Sequence, residues 1–158
     1  MSQGAGAPAQ LLVFRLDGQR YALPFAAIER VVPAVALTPL PGAPATIRGV
    51  FSLHGRIIPV GDLRRRLALP ERAVSIEDQI VVARSPSRVL GVLTEGDSEI
   101  VACPAEDFVA TATVIQGAQA IAGIVSLPNG LVLIHDLGRF LSLDEERELD
   151  EALHAART

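Results

Sequence analysis

The chain has 158 residues, a formal net charge of −4 and 49% apolar residues, yet only 4% aromatics and no Trp. That length suits one ordinary domain or two very small ones, and that apolar content excludes a wholly disordered chain and calls for an aliphatic core. The acidic balance argues against a nucleic-acid partner, which needs a basic face; all fourteen basic residues are Arg, a bias that accompanies abundant Ala, Gly and Pro.

Residues 1–10 are rich in Ala, Gly and Pro and have neither the basic start nor the apolar stretch of a signal peptide, so a flexible N-terminus is expected. No apolar run is long enough to span a bilayer, and the expected address is the cytoplasm. The first structured run, residues 11–16, meets Asp17-Gly18 and resumes at residues 20–23, which predicts a β-hairpin. Residues 24–28 suit a single helical turn opened by Pro24. Residues 30–37 are β-rich, with Pro33 demanding an edge or a bulge, and the Pro-rich run 38–44 is a stiff, extended loop.

A second hairpin is expected from residues 47–53, a His54-Gly55 turn and residues 56–60. Asp62 is placed to cap a short helix over 63–67, stopped by Pro70. A polar link, 71–78, leads to strands at 79–84, 88–93 and 99–102. Residues 105–118 show no clear period and are expected to be loop. Residues 120–127 and 131–134 form a hairpin around Pro128-Asn129-Gly130, since Asn and Gly tolerate positive φ. Ser142 and Glu145 make a capping box for a final helix over 144–158, with Leu149, Leu153 and Ala156 along one face.

Residues 47–69 and 121–143 repeat one another. At a constant offset of 74, Ile47, Gly49, Ser52, Leu53, Asp62, Leu63, Arg65, Leu67 and Leu69 recur, nine identities in 23 positions. The repeated unit reads as a hairpin followed by an Asp-capped short helix. Each half then holds about five short strands, which suits a small barrel better than an open sheet because closure removes exposed edges. Gly49 should be equivalent to Gly123 and Asp62 to Asp136.

In order along the chain, Leu12-Val13-Phe14-Arg15-Leu16, Tyr21-Ala22-Leu23-Pro24, Thr38-Pro39-Leu40-Pro41-Gly42, Ile47-Arg48-Gly49-Val50, Leu53-His54-Gly55-Arg56-Ile57-Ile58-Pro59-Val60 and Asp62-Leu63-Arg64 resemble the CheW family. The resemblance covers residues 11–143. It implies an all-β fold of two pseudo-symmetric, intertwined, five-stranded SH3-like barrels with short helices and a C-terminal helix. It implies a non-enzymatic adaptor that needs no cofactor. The implied partners are the regulatory domain of a CheA-type histidine kinase and the cytoplasmic tip of chemoreceptors, with recruitment to membrane receptor arrays. The implied partner-binding positions are Ile28, Arg30, Gly49, Leu53, His54, Gly55 and Arg56. Family members usually have Asn-Leu-Arg-Gly where this chain has Ser52-Leu53-His54-Gly55, and commonly a Glu at the position of Arg30. The resemblance therefore implies that Arg30 and His54 replace an acidic–basic pair. A second family pattern, Val-Asp-x-Val, stands here as Thr94-Glu95-Gly96-Asp97.

Each candidate residue also has a plainer reading. His54 is either a partner contact or a solvated turn residue, and Arg30 either a contact or an ordinary surface charge. Arg64-Arg65-Arg66 is a phosphate site or, more simply, a solvated helix face. His135-Asp136 has the look of a catalytic dyad, but Asp136 matches Asp62 in the repeat, which points to capping. The three His, at 54, 135 and 154, lack ligand spacing, there is no Gly-rich phosphate loop, and Cys103 alone supports neither an intrachain disulfide nor a Cys-based metal site. Cys103 is most simply a small, partly buried hydrophobe. Three readings remain: the adaptor, a diverged module that keeps the kinase or another signalling partner without receptors, and a small-barrel binder of nucleic acid or oligosaccharide. The last would require surface aromatics and a basic groove.

Overall fold

The apolar runs become ten strands in the computed structural model, which describes residues 8–110 and 121–157. They are β1 (Gln10–Leu16), β2 (Gln19–Pro24), β3 (Ile28–Pro33), β4 (Ile47–Leu53), β5 (Arg56–Asp62), β6 (Gln79–Arg84), β7 (Val89–Ala102), β8 (Phe108–Ala110), β9 (Ile121–Leu127) and β10 (Gly130–His135). Helix α1 (Leu63–Arg66) follows β5, and α2 (Leu143–Arg157) follows a 3₁₀ turn at Leu137–Arg139.

Two barrels arise because each half of the chain lends a hairpin to the other. The first barrel runs β3, β6, the N-terminal part of β7, β5, β4; the second runs the C-terminal part of β7, β1, β2, β10, β9, with β8 on β9. The pairings come in matched sets. Hairpin β1–β2 corresponds to β6–β7, parallel β10–β2 to parallel β5–β7, and β7–β1 to β3–β6. In this correspondence Gln10 matches Gln79 and Ala22 matches Gly91, an offset of 69 at which few residues are identical. The offset of 74 holds for β4–β5 and β9–β10, including their bulges at Arg48 and Ala122.

Gly49 and Gly123 have the same packing role. A Cβ at Gly49 would lie 2.8 Å from the Thr38 carbonyl oxygen, and one at Gly123 would lie 2.4 Å from the Phe108 ring and 3.0 Å from the Val109 carbonyl oxygen. In each barrel a neighbouring segment lies this close, Thr38 bridging Val50 and β8 pairing with β9, so a side chain at either glycine would have to displace it.

The core has three parts. Leu11, Val13, Ala22, Cys103, Val125, Val132 and Ile134 fill the second barrel. Val60, Ile80, Val82 and Leu93 fill the first. The largest cluster lies between them and includes Leu12, Phe14, Leu16, Val81, Ala83, Val92, Phe140 and Leu149. β1 and β6 therefore bury both faces, alternate residues going into a barrel and into the shared core, and this accounts for their unbroken apolar runs.

Several expectations need correction. The strands expected at 88–93 and 99–102 are one 14-residue strand, β7, beginning at Val89 and passing from one barrel to the other; Gly96 takes up the change of direction at φ 65°. Residues 105–110 are not loop: Ala105–Asp107 form a 3₁₀ turn and Phe108–Ala110 a strand, while 111–118 lie outside the described residues. The β-rich run after Arg30 stops as a strand at Pro33, with one further backbone bond from Ala34 N–H to Asp78 O at 3.0 Å. The lead is shorter than residues 1–10, since Gln10 is already paired in β1; residues 1–7 lie outside the described set. In the β9–β10 hairpin only Gly130 uses positive φ, because Pro128 fixes the first turn position at negative φ. Along α2 the buried residues are Leu149 and Ala152 with Leu153 half-buried, whereas Ala156 is exposed.

Gly49→Ala and Gly123→Ala should each cost about 1–3 kcal/mol, the range for forcing extra volume into a packed site. Urea denaturation checks this. An unchanged midpoint in either variant would contradict the close-approach role.

Candidate functional site

The first barrel closes unevenly along the seam between β3 and β4. At one end the backbone closes it: Thr38 N–H donates to Val50 O at 2.9 Å and Val50 N–H to Thr38 O at 2.8 Å. At the other end side chains bridge the gap between β3 and the β4–β5 turn. Arg30 Nη1 lies 3.0 Å from His54 Nε2, and Arg56 Nη2 donates to Glu29 Oε1 at 3.0 Å. Arg84, at the end of β6, donates through Nη2 to Glu29 Oε2 at 2.5 Å.

Local backbone chemistry produces this cluster. Ile28 pairs with Ala83 and Arg30 with Val82, so Glu29 is an extra residue in a β-bulge. Glu29 and Arg30, adjacent in sequence, are both exposed and both reach partners. The turn has φ 51° at His54 and 82° at Gly55. These two positive values match a type I′ hairpin turn, which follows the twist of the strands, and His is among the side chains that tolerate the left-handed region. The hydrogen bond from Arg56 is the main influence holding the Glu29 carboxyl below its ordinary pKa, aided by the nearby Arg84.

Arg30, His54, Gly55 and Arg56 are thus exposed together at one end of the seam. Gly49 is buried beneath Thr38 and has no surface to offer a partner. Leu53 and Ile28 are half-buried, packed on the core of the first barrel and on the inter-barrel core respectively. An acidic–basic pair has not vanished from the region, since Glu29 bonds Arg56 beside the Arg30–His54 contact. Sequence reading missed Glu29 and Arg84. The first is displaced by a bulge, and the second is brought in by a non-local strand pairing.

The triple-Arg helix is only in part a solvated face, with Arg65 exposed and Arg66 half-buried. Arg64 is buried, with its guanidinium bonded to Glu95, to Asp17 Oδ1 at 3.3 Å and to Pro70 O at 2.6 Å. Arg65 reaches Glu71 at 3.0 Å and Arg66 reaches Glu145 at 3.2 Å. These pairings leave no open phosphate cradle. At the start of the same helix, Asp62 Oδ1 accepts the N–H groups of Arg64 at 2.9 Å and Arg65 at 3.3 Å, while Oδ2 pairs with Arg48 at 2.9 Å. Its counterpart Asp136 accepts the Gly138 N–H at 2.9 Å and opens a 3₁₀ turn rather than an α-helix.

His135 does not form a dyad with Asp136. Its ring is buried against Phe140, centroids 5.7 Å apart in an edge arrangement, and neither ring nitrogen has a hydrogen-bond partner among the described residues. Burial is the main influence lowering its pKa to about 3, with a smaller effect from Arg66. The matching position in the first half is Gly61, where a Cβ would lie 2.5 Å from the Phe140 ring. Cys103 is buried in the second barrel, which pushes its thiol pKa up. Among the described residues, no group of three His, Cys, Asp or Glu could hold a metal ion. No helix there is long and apolar enough to cross a membrane.

Two stability measurements test these assignments. Asp62→Ala should cost roughly 0.5–2 kcal/mol, the range for a lost N-cap, and Asp62→Asn, which keeps a capping oxygen, should recover part of it. An unaltered denaturation midpoint in Asp62→Ala would refute the role. His135 stays neutral in the fold down to about 3, whereas the unfolded chain takes up a proton near 6.5. Between those values the unfolded state binds more protons, so stability should fall as pH drops from about 6.5 towards 3. His135→Leu should flatten that decline, and an identical pH profile would show that another group causes it.

The family model described as CheW-like domain matches residues 10–145. The chain is 27% identical over 146 residues to the chemotaxis protein CheW of Treponema pallidum, covering 89% of this chain and 86% of that one. It is 26% identical over 141 residues to the chemotaxis protein CheW of Rhizobium meliloti, covering 88% and 90%. The crystal structure of the scaffolding protein TtCheW from Thermoanaerobacter tengcongensis superposes with a TM-score of 0.80 at 24% identity, covering 88% of this chain and 96% of that one, and so shares its fold. With the matched residues running from the first strand into the last helix, the chain belongs to the CheW-like family.

Proposed function

We propose that this chain is a non-enzymatic adaptor that couples chemoreceptors to a CheA-type histidine kinase in chemotaxis-like signalling. The observation that carries the reading is the CheW-like match across residues 10–145, on a chain whose described length is taken up by the two barrels and their helices. The chemistry agrees with it. The polar clusters are spent on capping and ion pairs, His135 is buried away from Asp136, and the exposed seam of the first barrel is a surface of fixed charges rather than a pocket holding a nucleophile beside a base. Such a surface suits protein recognition, where complementary charge sets partner choice and encounter rate.

The kinase regulatory domain and the receptor tip are the two partners on this reading, and the second is assigned to the seam. Purified full-length chain should co-elute with the regulatory domain of a CheA-type kinase from the same genome and should raise that kinase's recovery on receptor-containing membranes. Failure to associate with every such kinase in that genome would overturn the reading.

A further inference from the structure

The charges at the seam do not balance. Arg30, Arg56 and Arg84 meet there with His54 and a single carboxylate, Glu29, which already accepts from both Arg56 and Arg84. Arg30 is left with the His54 ring, a partner that brings no negative charge. This surplus of positive charge stands out on a chain whose formal net charge is −4. The guanidinium is exposed, and its planar fork fits a carboxylate better than any other protein group. The geometry is also defined: the type I′ turn at His54–Gly55 places the imidazole, which lies 3.0 Å from one arm of the guanidinium.

Resting on the adaptor reading, we propose that this seam docks an acidic segment of the receptor, with a receptor carboxylate seated on the Arg30 guanidinium. His54 is the positioning residue that orients Arg30. Arg56 and Arg84, both bonded to Glu29, border the site with their guanidiniums already engaged by a carboxylate, which leaves Arg30 as the cation open to a partner. A receptor offering a basic side chain at that point would meet unmatched positive charge and be rejected, so the same residues that attract one partner exclude others.

The test uses the full-length chain and cytoplasmic-tip fragments of the chemoreceptors encoded in the same genome, with binding to the CheA-type kinase measured in parallel. Arg30→Glu should weaken tip binding by about tenfold or more at low salt, Arg30→Lys should weaken it less, and kinase binding should be unchanged. Wild-type tip binding should weaken as salt rises, and this salt dependence should shrink in Arg30→Ala. His54→Asn, which keeps a residue tolerant of positive φ, should weaken tip binding without moving the denaturation midpoint. Replacing the contacting receptor carboxylate by Lys should restore binding to Arg30→Glu. Equal or tighter tip binding by Arg30→Glu overturns the inference and leaves the adaptor reading standing. Kinase binding with no tip bound by wild type also overturns it, while loss of both partners in wild type refutes the adaptor reading itself.

Discussion

The apolar layer between the two barrels is the constraint on which the rest of the molecule depends. A barrel of five short strands encloses little: Val60, Ile80, Val82 and Leu93 are the buried members of the first, and small domains bury too small a fraction of their surface to be stable alone. The shared layer, with Phe14, Leu16, Leu63, Val81, Phe140 and Leu149, is larger than either interior. It can exist only because β1 and β6 are apolar on both faces. It also explains why the hairpins are exchanged: a strand that serves a barrel on one face and the shared layer on the other must lie where the barrels meet. β7 does the same along its length, pairing with β6 and β5 in one barrel and with β1 in the next.

Charged groups then fix how the pieces sit on that layer. Arg64, on the short helix after β5, bonds Glu95 in β7 and Asp17 in the β1–β2 turn, so one guanidinium joins three elements from both barrels. The hydrogen bond to Glu95 is the main influence raising its pKa, and it remains charged throughout the working range of pH. α2 is held similarly. Leu149 enters the shared core, Arg88 reaches Glu146 at 2.8 Å and Asp150 at 2.5 Å, and the Ser142–Glu145 capping box fixes where the helix starts. Partly buried Arg–carboxylate contacts of this kind set geometry more than they add stability.

The seam is the exception to this close fitting. It is joined by backbone bonds at Thr38 and Val50 and by exposed side chains at the other end, so its outer part is a surface whose charge pattern can change without disturbing the core. A bulge and a two-residue turn are enough to present Glu29, Arg30, His54 and Arg56 together. Divergence in recognition is inexpensive here, because the residues that hold the barrel shut, such as Gly49 and Val50, lie beneath and are different from those that face outward.

The amino-acid sequence by itself determined the hairpins, the Asp-capped helices, the capping box before α2 and the resemblance that carries the family. These rest on local chemistry: Asp-Gly and His-Gly turns, an Asp before a short helix, and alternation or continuity of apolar residues. The repeat at offset 74 was legible because the close-approach glycines Gly49 and Gly123, the capping Asp62 and Asp136 and the leucines around them recur, although the turn residues differ. Only the tertiary structure decided the second correspondence, at offset 69, because there the two copies share a pattern of burial and few identical residues, as Phe14 and Ala83 illustrate. It decided that residues 89–102 are one strand, since continuity across Gly96 depends on pairing with β1 in the other barrel. It decided the fate of the arginines, because Arg64 meets Glu95, and Arg84 meets Glu29, only after strands far apart in sequence are brought side by side.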